Sequence, residues 1–484
     1  MIIDFNEINS PQGKKYDFCV CGSGPAGMTI ALRLSEAGFN VALFEGGGKD
    51  FSSESNDLLN ADSKGLEANV NSYRQRFLGG TSNHWLGRCR PFDKSDFTNI
   101  PPTGIPGWPI TGEEIDPYLI EAAEILDLDT KKGFTSFHEP TIDKMFGADI
   151  SSWSRPPTRF KEKYDRLLDE SPNLFVYLNA NVVDIELDNK HENVNSILVK
   201  NFRGYSTKFS GSQIILAMGG IETPRILLNC NAQLTEGIGN QSDYVGRCFM
   251  EHPKVVIGEY IKLDEKLEKG VDFEFYTSDQ LVSSQSVGKG NFTFHVISKL
   301  YSYGRLGKIK DFFDGLACDL NIDEKIQFIS NFKCPGTGRI WTQFEQFPSS
   351  DSRIYLSDEF DSLGLRKAVF DWKLTDYDYR SFRKSSIQLA KSFSESGFGK
   401  IKLEDYILDE TMDIPTSPHA HHMGTTRMAR EESHGVVDEN CRVFGVENLH
   451  IAGGSIFSTV GGGNPTLPIV QFALRLVDHL KRIS

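Results

Sequence analysis

A glycine-rich turn near the N-terminus constrains the fold of this chain more than any other feature. Gly22, Gly24 and Gly27 follow an apolar stretch at 16–21 and precede a stretch at 25–37 whose apolar residues recur on one helical face. The first glycine permits a tight turn, the second lets the main chain approach a pyrophosphate, and the third lets helix and strand pack closely. The pattern predicts a right-handed β-α-β unit that binds a dinucleotide, either NAD or FAD.

A carboxylate strengthens this interpretation. Glu45 ends the second predicted strand, 40–44, at the place where an acid accepts hydrogen bonds from an adenosine ribose. A negative charge there disfavours NADP, because it would repel the 2′-phosphate. Pro25 and Ala26 open the intervening helix, whose free N–H groups are expected to hold the pyrophosphate.

Composition narrows the classes of partner. The chain has 484 residues, which predicts two domains or one large domain with insertions. Its formal net charge is −14, whereas phosphate binding needs clustered Lys and Arg, so neither nucleic acid nor an anionic membrane is expected as a partner. No run reaches the roughly 18 apolar residues of a spanning helix. The N-terminus lacks a signal-peptide pattern and the eight cysteines lack a disulfide framework, so the cytoplasm is the expected compartment.

The rest of the chain mixes predicted helices and strands, which gives the fold class α/β (α+β overall). After residue 46 an irregular stretch is predicted at 47–115. The predicted helices are 116–126, 223–228 (preceded by a Gly219-Gly220 turn), 310–332 and 465–481. The predicted strands are short ones at 173–183, one at 213–217, antiparallel ones such as 291–296 and 367–374, and a short one at 449–452.

Four histidines crowd into the C-terminal region, ahead of a glycine-rich turn that opens the last helix. They are His419, His421, His422 and His434. Histidine suits a general base because its ordinary pKa lies near working pH. A base combined with a glycine-rich turn is the equipment that a flavin needs to take a hydride from an alcohol. A metal site is not expected, since no carboxylate or cysteine stands at ligand spacing.

The sequence resembles the glucose–methanol–choline (GMC) oxidoreductase family at several separated motifs. Besides the turn and acid above, they are Gly79–Trp85, similar to the flavin-attachment loop; Asn181–Val183 and Ala217–Pro224, similar to adenine-side strands; Val245–Pro253, similar to a domain-crossing segment; and His421–Met428, Gly435–Val446 and Asn464-Pro465, similar to the C-terminal signature. Within the family the likeness is greatest to the pyranose 2-oxidase and sugar dehydrogenase branch, because of His84-Trp85 and Asn464.

The resemblance implies a two-domain architecture. A Rossmann-type FAD domain would be built from discontinuous segments, 1–252 and 412–484, with an excursion at about 90–170 that contributes to the substrate side. Residues 253–411 would form a substrate domain with a large antiparallel sheet backed by helices.

The resemblance also implies which residues hold FAD. In addition to the N-terminal turn and Glu45, they are Gly79, Gly80, Thr81, Asn83, His84, Trp85, Val183, Ala217, Gly219, Gly453, Gly454, Asn464, Pro465 and Thr466. In the pyranose 2-oxidase branch the residue matching His84 is bonded covalently to the flavin; that linkage is an open alternative here, and non-covalent binding is favoured. Gly453 replaces an aspartate that the family often has beside the ribityl chain.

The catalytic pair implied by the family pattern is His421 as base and Asn464 as the residue that orients the substrate hydroxyl. Two alternatives remain for His421, a polar loop residue or a metal ligand, while His252 and His422 are expected to be structural. Asn464 is also predicted to cap the last helix, and the turn at 461–463 to let the main chain approach the flavin.

The predicted function is FAD-dependent oxidation of a CH–OH group of a sugar, glycoside or other polyol. The electron acceptor, oxygen or another molecule, and the oligomeric state are not readable from the sequence. Two alternatives stay open: a flavoprotein without net redox turnover, such as a lyase or isomerase, and an NAD-linked dehydrogenase.

Overall fold

Two β-sheets of different kinds organise the molecule, which we describe from a computed structural model. The described residues are 1–8, 14–66, 70–98, 102–129, 142–148, 151–263, 273–296 and 337–484. Their strands, in chain order, are β1 (Ile2–Asp4), β2 (Lys15–Cys21), β3 (Val41–Phe44), β4 (Asp62–Gly65), β5 (Arg88–Cys89), β6 (Phe146–Ala148), β7 (Ser152–Trp153), β8 (Leu174–Leu178), β9 (Asn181–Leu187), β10 (Val194–Lys200), β11 (Ser206–Leu216), β12 (Lys254–Lys262), β13 (Phe273–Thr277), β14 (Gly290–Val296), β15 (Thr337–Phe344), β16 (Arg353–Phe360), β17 (Arg366–Trp372), β18 (Gly399–Leu403) and β19 (Leu449–Ile451). Their α-helices are Pro25–Glu36, Ser53–Asp57, Lys94–Thr98, Leu119–Ile125, Phe160–Glu170, Gly219–Asn229, Asp279–Gln285, Asp376–Glu395, Asp405–Leu408 and Thr466–Ile483.

The first sheet contains the predicted β-α-β unit. Its strand order is β1-β8-β3-β2-β11-β10-β9, and the five strands from β1 to β11 pair in parallel. All four residues of β3 are buried, as expected for a strand covered on both faces. The first part of β11 pairs with β10 and its last part, Ile214–Leu216, pairs with β19. The C-terminal segment therefore returns to the sheet that the N-terminus begins.

The second sheet is antiparallel, with the order β18-β12-β15-β14-β13-β6. Its inner face is rich in phenylalanine, and Phe275, Phe292 and Phe294 are all buried there. Helix Asp376–Glu395 contributes Phe382 and Phe393 to the same core. The mixed α/β fold class, with a parallel nucleotide-binding sheet and a second sheet backed by a helix, is confirmed. The predicted domain boundaries stay predictions.

A small third sheet connects distant parts of the chain. Strand β17, predicted as an antiparallel strand, pairs antiparallel with β16 and in parallel with β4, and it lies outside the six-stranded antiparallel sheet. Trp372 and Phe370 of β17 pack in a separate buried cluster with Phe249. The alternation of apolar residues predicted the strand correctly, whereas the choice of sheet depends on contacts that are remote in sequence.

The helix after β11 begins earlier than predicted. Gly219 and Gly220 do not form a turn before the helix, because they are its first two residues, and Pro224 lies inside it. A proline cannot donate the hydrogen bond that Gly220 O would receive in a regular helix. The hydroxyl of Thr425 donates to that oxygen instead, at 2.6 Å. This bond satisfies the carbonyl oxygen that the proline leaves without a donor in the helix.

Two other predictions concern helices. The predicted helix at 116–126 is present in part, as a 3₁₀ turn (Asp116–Tyr118) followed by helix Leu119–Ile125. The predicted helix at 310–332 lies outside the described residues. Among the helices that the structure describes, none is long and apolar enough to cross a membrane.

Candidate functional site

A cavity of about 560 Å³ opens at the carboxyl ends of strands β2, β3 and β11. The carboxyl ends of parallel strands meet at one edge of a sheet, which is where ligands bind in open α/β sheets. Most of the predicted site residues lie in its wall. They are Gly22, Gly24, Pro25, Ala26, Glu45, Gly80, Thr81, His84, Trp85, Ala217, Gly219, His421, Gly453, Gly454, Asn464, Pro465 and Thr466.

Gly27 and Val183 do not line the cavity. A side chain on Gly27 would stand 1.9 Å from the carbonyl oxygen of Gly22, so this glycine serves helix–strand packing, the role that its position in the motif predicts. Val183 was predicted at the cofactor, but its neighbour Val182 lies in the cavity wall. Successive side chains of a strand point to opposite faces, so the side chains of Val182 and Val183 face different sides of the sheet, and the cofactor contact of Val183 stays a prediction.

Hydrogen bonds from its own residues fix the shape of the loop at Gly79–Trp85. Gly79 has a φ of +92° and donates its amide to Ser23 Oγ at 3.0 Å. The side-chain amide of Asn83 donates to Leu78 O at 2.9 Å and to Gly80 O at 2.8 Å. Gly79 and Asn83, both predicted to hold the cofactor, are therefore not in the cavity wall and shape the loop instead.

His84 and Trp85 are the last two residues of this loop, and both line the cavity. Burial, the largest cause, lowers the pKa of His84. The indole of Trp85 donates its N–H to Thr158 O at 2.7 Å, which fixes the ring. Arg88 also lines the cavity and forms an ion pair with Glu274 at 2.5 Å.

Glu45 lies at the end of β3, as predicted, and its carboxylate organises the glycine-rich turn. One oxygen accepts the hydroxyl of Ser23 at 2.6 Å, and the other accepts the amide of Gly47 at 2.9 Å. Each carboxylate oxygen can accept more than one hydrogen bond, so capacity remains for a ribose hydroxyl. The structural role of Glu45 and its predicted binding role are compatible.

The wall of the cavity fits a dinucleotide. Gly24, Gly219 and Gly453 have no atom within 4 Å of the place where a side chain would stand, so their main chain can approach a bound group closely. Helix Pro25–Glu36 begins at Gly24 without a side-chain cap, which leaves its first N–H groups and the positive end of its dipole for a pyrophosphate.

A buried cluster of charges in the same wall was missed by the sequence analysis. Glu222 pairs with Arg74 at 2.7 Å and with Arg225 at 2.9 Å, and Arg225 also pairs with Asp361. Arg76 lines the cavity beside them, and burial lowers its pKa. Nothing in the local sequence separates these arginines from surface cations, because their burial depends on segments far apart in the chain.

The structure brings His421 and Asn464 together at the cavity wall. Nδ2 of Asn464 lies 3.2 Å from Nε2 of His421. His421 precedes Met423, whose main chain bridges to Met250, and Asn464 lies just before helix Thr466–Ile483. Two residues that are 43 positions apart in sequence therefore meet at one point of the cavity.

His252 determines which ring nitrogen of His421 carries the proton and which is unprotonated. Nδ1 of His421 lies 2.9 Å from Nδ1 of His252, and Nε2 of His252 lies 2.9 Å from the carbonyl oxygen of Gly461. A carbonyl only accepts, so we assign the proton of neutral His252 to Nε2. Its Nδ1 then accepts from His421, which leaves Nε2 of His421 unprotonated and directed at Asn464.

Burial keeps these histidines neutral. Burial is the largest cause of the lowered pKa of His421, which falls well below its ordinary value, and it lowers the pKa of His252 to about 4. His419 and His422 respond in the same way, each with a pKa of about 3. A neutral His421 with a free Nε2 has the protonation state that a general base requires.

The predicted helix cap is wrong. Asn464 does not cap helix Thr466–Ile483, whose N-cap is Pro465 without a side-chain hydrogen bond, because the amide of Asn464 faces His421. The prediction that the turn at 461–463 lets the main chain approach the flavin stays a prediction. A side chain on Gly462 would collide with the hydroxyl of Tyr276, and one on Gly463 with Arg90, so close packing within the protein requires these glycines.

Comparison with known proteins identifies two domains. Residues 17–92 match the model of an FAD-binding domain, and residues 348–473 match the model named GMC oxidoreductase. Among characterised relatives, the large subunit of fructose dehydrogenase from Gluconobacter japonicus is 26% identical over 62% of this chain and 53% of its own length. The chain thus spans about half of that relative.

Longer matches cover nearly the whole chain. The 2-methyl-1,2-propanediol dehydrogenase of Mycolicibacterium austroafricanum is 22% identical over 96% of this chain and 95% of its own length. The crystal structure of pyridoxine 4-oxidase from Mesorbium loti superposes with a TM-score of 0.62 at 16% identity, over 96% of this chain and 99% of that one. The chain therefore combines a region that matches an FAD-binding domain with a region that matches the GMC oxidoreductases, and FAD is the cofactor that these matches indicate.

Proposed function

We propose that this enzyme oxidises the CH–OH group of a sugar, glycoside or other polyol to a carbonyl. The observation that carries the proposal is the 3.2 Å contact between His421 Nε2 and Asn464 Nδ2 in the wall of the cavity. The pair presents one unprotonated nitrogen and one amide to the same point. That combination suits a hydroxyl group that must be held and deprotonated.

His421 is proposed as the base. Its Nε2 accepts the hydroxyl proton of the substrate, and the hydrogen bond from Nδ1 to His252 keeps the ring in the required tautomer. Bound FAD supplies the acceptor for the hydride that leaves the substrate carbon. Asn464 is proposed to hold the substrate hydroxyl against Nε2 by donating an N–H of its Nδ2 group, which lies 3.2 Å from Nε2, to the hydroxyl oxygen.

FAD is proposed to bind along the cavity wall. The first-turn amides of helix Pro25–Glu36 and the turn at Gly22–Gly24 would hold the pyrophosphate, and Glu45 the adenosine ribose. Helix Thr466–Ile483 also begins at the cavity without a side-chain cap, so its positive end would favour the negative charge of the reduced cofactor. The FAD-binding match argues against the NAD-linked alternative.

The substrate class is proposed from two kinds of support. The relatives include a fructose dehydrogenase subunit and a diol dehydrogenase, both named for hydroxylated substrates. Trp85 and the ion-paired Arg88 line the cavity with His421, and an aromatic face with fixed donors suits a molecule that carries several hydroxyl groups.

An anaerobic substrate screen tests the proposal. Purified holoenzyme is mixed with sugars, glycosides, polyols and simple alcohols in the absence of oxygen, and the flavin absorbance is followed. We expect at least one hydroxylated compound to bleach the flavin, with a carbonyl product in equal amount. If no alcohol bleaches it, redox turnover is refuted and the lyase or isomerase alternative replaces it. Admission of air to the bleached sample then distinguishes oxygen from another electron acceptor.

A further inference from the structure

Glu251 is a fully buried acid that none of the roles above uses. Its side chain is 0% exposed, and no Lys or Arg among the described residues forms an ion pair with it. Burying a carboxyl group without a cation is costly, so its neighbours must offset the loss of water. Its main chain is itself held in place, since its amide donates to Gln346 Oε1 at 3.0 Å.

One oxygen of this carboxyl joins the two histidines of the candidate site. Oε1 accepts the main-chain amide of His421 at 2.7 Å and that of His252 at 2.9 Å. Because both amides bind the same atom, the separation of the two main chains is set by that atom. The rings of the two residues then meet at 2.9 Å between their Nδ1 atoms.

The surrounding backbone is shaped to receive a carboxyl group. Ala420 has a φ of +65°, a left-handed conformation that is uncommon for a residue with a side chain and that turns successive N–H groups toward one point. Burial raises the pKa of Glu251 to about 8, and the amides of His252, His421, His419 and Ala420 act in the opposite direction. The segment at 419–421 thus wraps the acid with donors.

We propose that Glu251 is a positioning residue, whose Oε1 fixes the main chains of His252 and His421 so that their rings keep the hydrogen bond that frees His421 Nε2. The inference rests on the proposed role of His421 as base. It assigns to Glu251 no contact with substrate or cofactor. Its effect is transmitted through two backbone amides.

The substitutions Glu251→Ala and Glu251→Gln distinguish the positioning role from a role that depends on the charge of the Glu251 carboxyl group. Alanine removes the acceptor, whereas glutamine keeps a carbonyl oxygen at the same reach and places its NH₂ group where Oε2 has no partner among the described residues. We therefore expect the glutamine variant to resemble the wild type and the alanine variant to lose the positioning.

The first readout is hydrogen–deuterium exchange of the resting holoenzyme. In Glu251→Ala we expect the amides of His252 and His421 to exchange about tenfold faster, since each loses its acceptor. Glu251→Gln should keep the wild-type protection. Unchanged exchange in the alanine variant would overturn the proposal, whatever the reaction of the enzyme is.

The second readout is anaerobic flavin reduction by the substrate that the screen identifies. A displacement of about 1 Å in a catalytic group can cost about 10²-fold in rate, so we expect Glu251→Ala to be slower by about that factor and Glu251→Gln to stay close to the wild type. Faster exchange with an unchanged rate, or a glutamine variant as slow as the alanine variant, would refute the positioning role. A wild type that no alcohol reduces would refute the proposed function alone, because the exchange result stands independently.

Two further variants complete the test, a replacement for Glu251→Ala and a control outside the candidate site. If Glu251→Ala does not fold, Glu251→Asp takes its place, because the shorter side chain withdraws the acceptor and retains the carboxyl. We expect the same slower flavin reduction and faster amide exchange in this variant. Wild-type values would overturn the proposal.

Asp378→Asn is the matched control. Asp378 is another buried acid that accepts main-chain amides, from Phe347 and Thr375, outside the candidate site. Its variant should leave the His421 amide and the reduction rate unchanged.

Discussion

The Nδ1 atoms of His252 and His421 lie 2.9 Å apart, so one ring must donate a proton to the other. Because Nε2 of His252 faces a carbonyl oxygen, His252 is the acceptor at Nδ1 and His421 the donor. A residue that the sequence analysis considered structural therefore fixes the tautomer of the proposed base. The proposed chemistry depends on this contact as much as on His421 itself.

The substitution His252→Phe tests that contact. Phenylalanine has a similar volume but can neither accept from His421 nor donate to Gly461, so the His421 ring loses its preferred tautomer. We expect the rate of anaerobic flavin reduction to fall by about 10–10²-fold with FAD still bound. The measurements are stopped-flow reduction and the ratio of flavin to protein absorbance. A wild-type rate in this variant would show that His252 does not control the base.

The pH dependence of flavin reduction follows from burial. The base must be neutral to accept a proton, and burial lowers the pKa of His421 well below its ordinary 6.5. We therefore expect the reduction rate to stay constant as the pH falls from 8 to 6.5, with the acid limb of the profile centred below 6.5. The measurement is anaerobic reduction at saturating substrate across this range. An acid limb centred at 6.5 or above would contradict a buried, neutral base.

Stability should also depend on pH through His450, a histidine that does not line the cavity. His450 is 0% exposed, neither ring nitrogen has a partner among the described residues, and burial lowers its pKa to about 3. Its folded pKa lies below the unfolded one, so its contribution is fully present above pH 6.5 and is lost as the pH falls from 6.5 toward 3.

The variant His450→Leu removes the histidine that takes up a proton when the wild type unfolds at acid pH. We expect the free energy of unfolding of the wild type, relative to this variant, to decrease by about 2 kcal/mol between pH 7 and pH 5. Denaturant unfolding of both proteins at the two pH values measures the difference. Parallel behaviour of the two proteins would show that His450 titrates normally in the folded state.

The attachment of FAD is open to a simple test. His84 lines the cavity at the end of the loop at 79–83, and we expect FAD to be held without a bond to its ring. Acid precipitation of the holoenzyme should then release the yellow colour into the supernatant. Colour retained by the precipitate, and lost in the variant His84→Ala, would establish the covalent alternative.

Local sequence patterns predicted the parts of this structure that depend on neighbouring residues. The turn at Gly22–Gly27, its flanking strands and helix, and Glu45 at the end of β3 are set by backbone geometry within thirty residues or so, which periodicity and glycine spacing encode. The meeting of His421 with Asn464 followed from a family resemblance and not from any local pattern.

The errors concern groups whose environment comes from distant segments. The sequence analysis made no prediction for Arg74 and Arg225, each of which is buried against Glu222. Asn464 has the residue type of a helix cap, but the nearby His421 ring competes for its amide. Helix Gly219–Asn229 continues through Pro224, and Thr425, two hundred positions on, supplies the donor that the proline lacks. Composition and periodicity contain no information about such partners.

The most direct test of the central claim is anaerobic stopped-flow reduction of the variant His421→Ala, compared with the wild type and with His434→Ala, a histidine outside the cavity. A positioned general base contributes roughly 10²–10⁴-fold, so we predict that His421→Ala keeps its FAD and loses reduction rate by that factor, while His434→Ala stays at the wild-type rate. Near-normal flavin reduction in FAD-loaded His421→Ala would contradict the account.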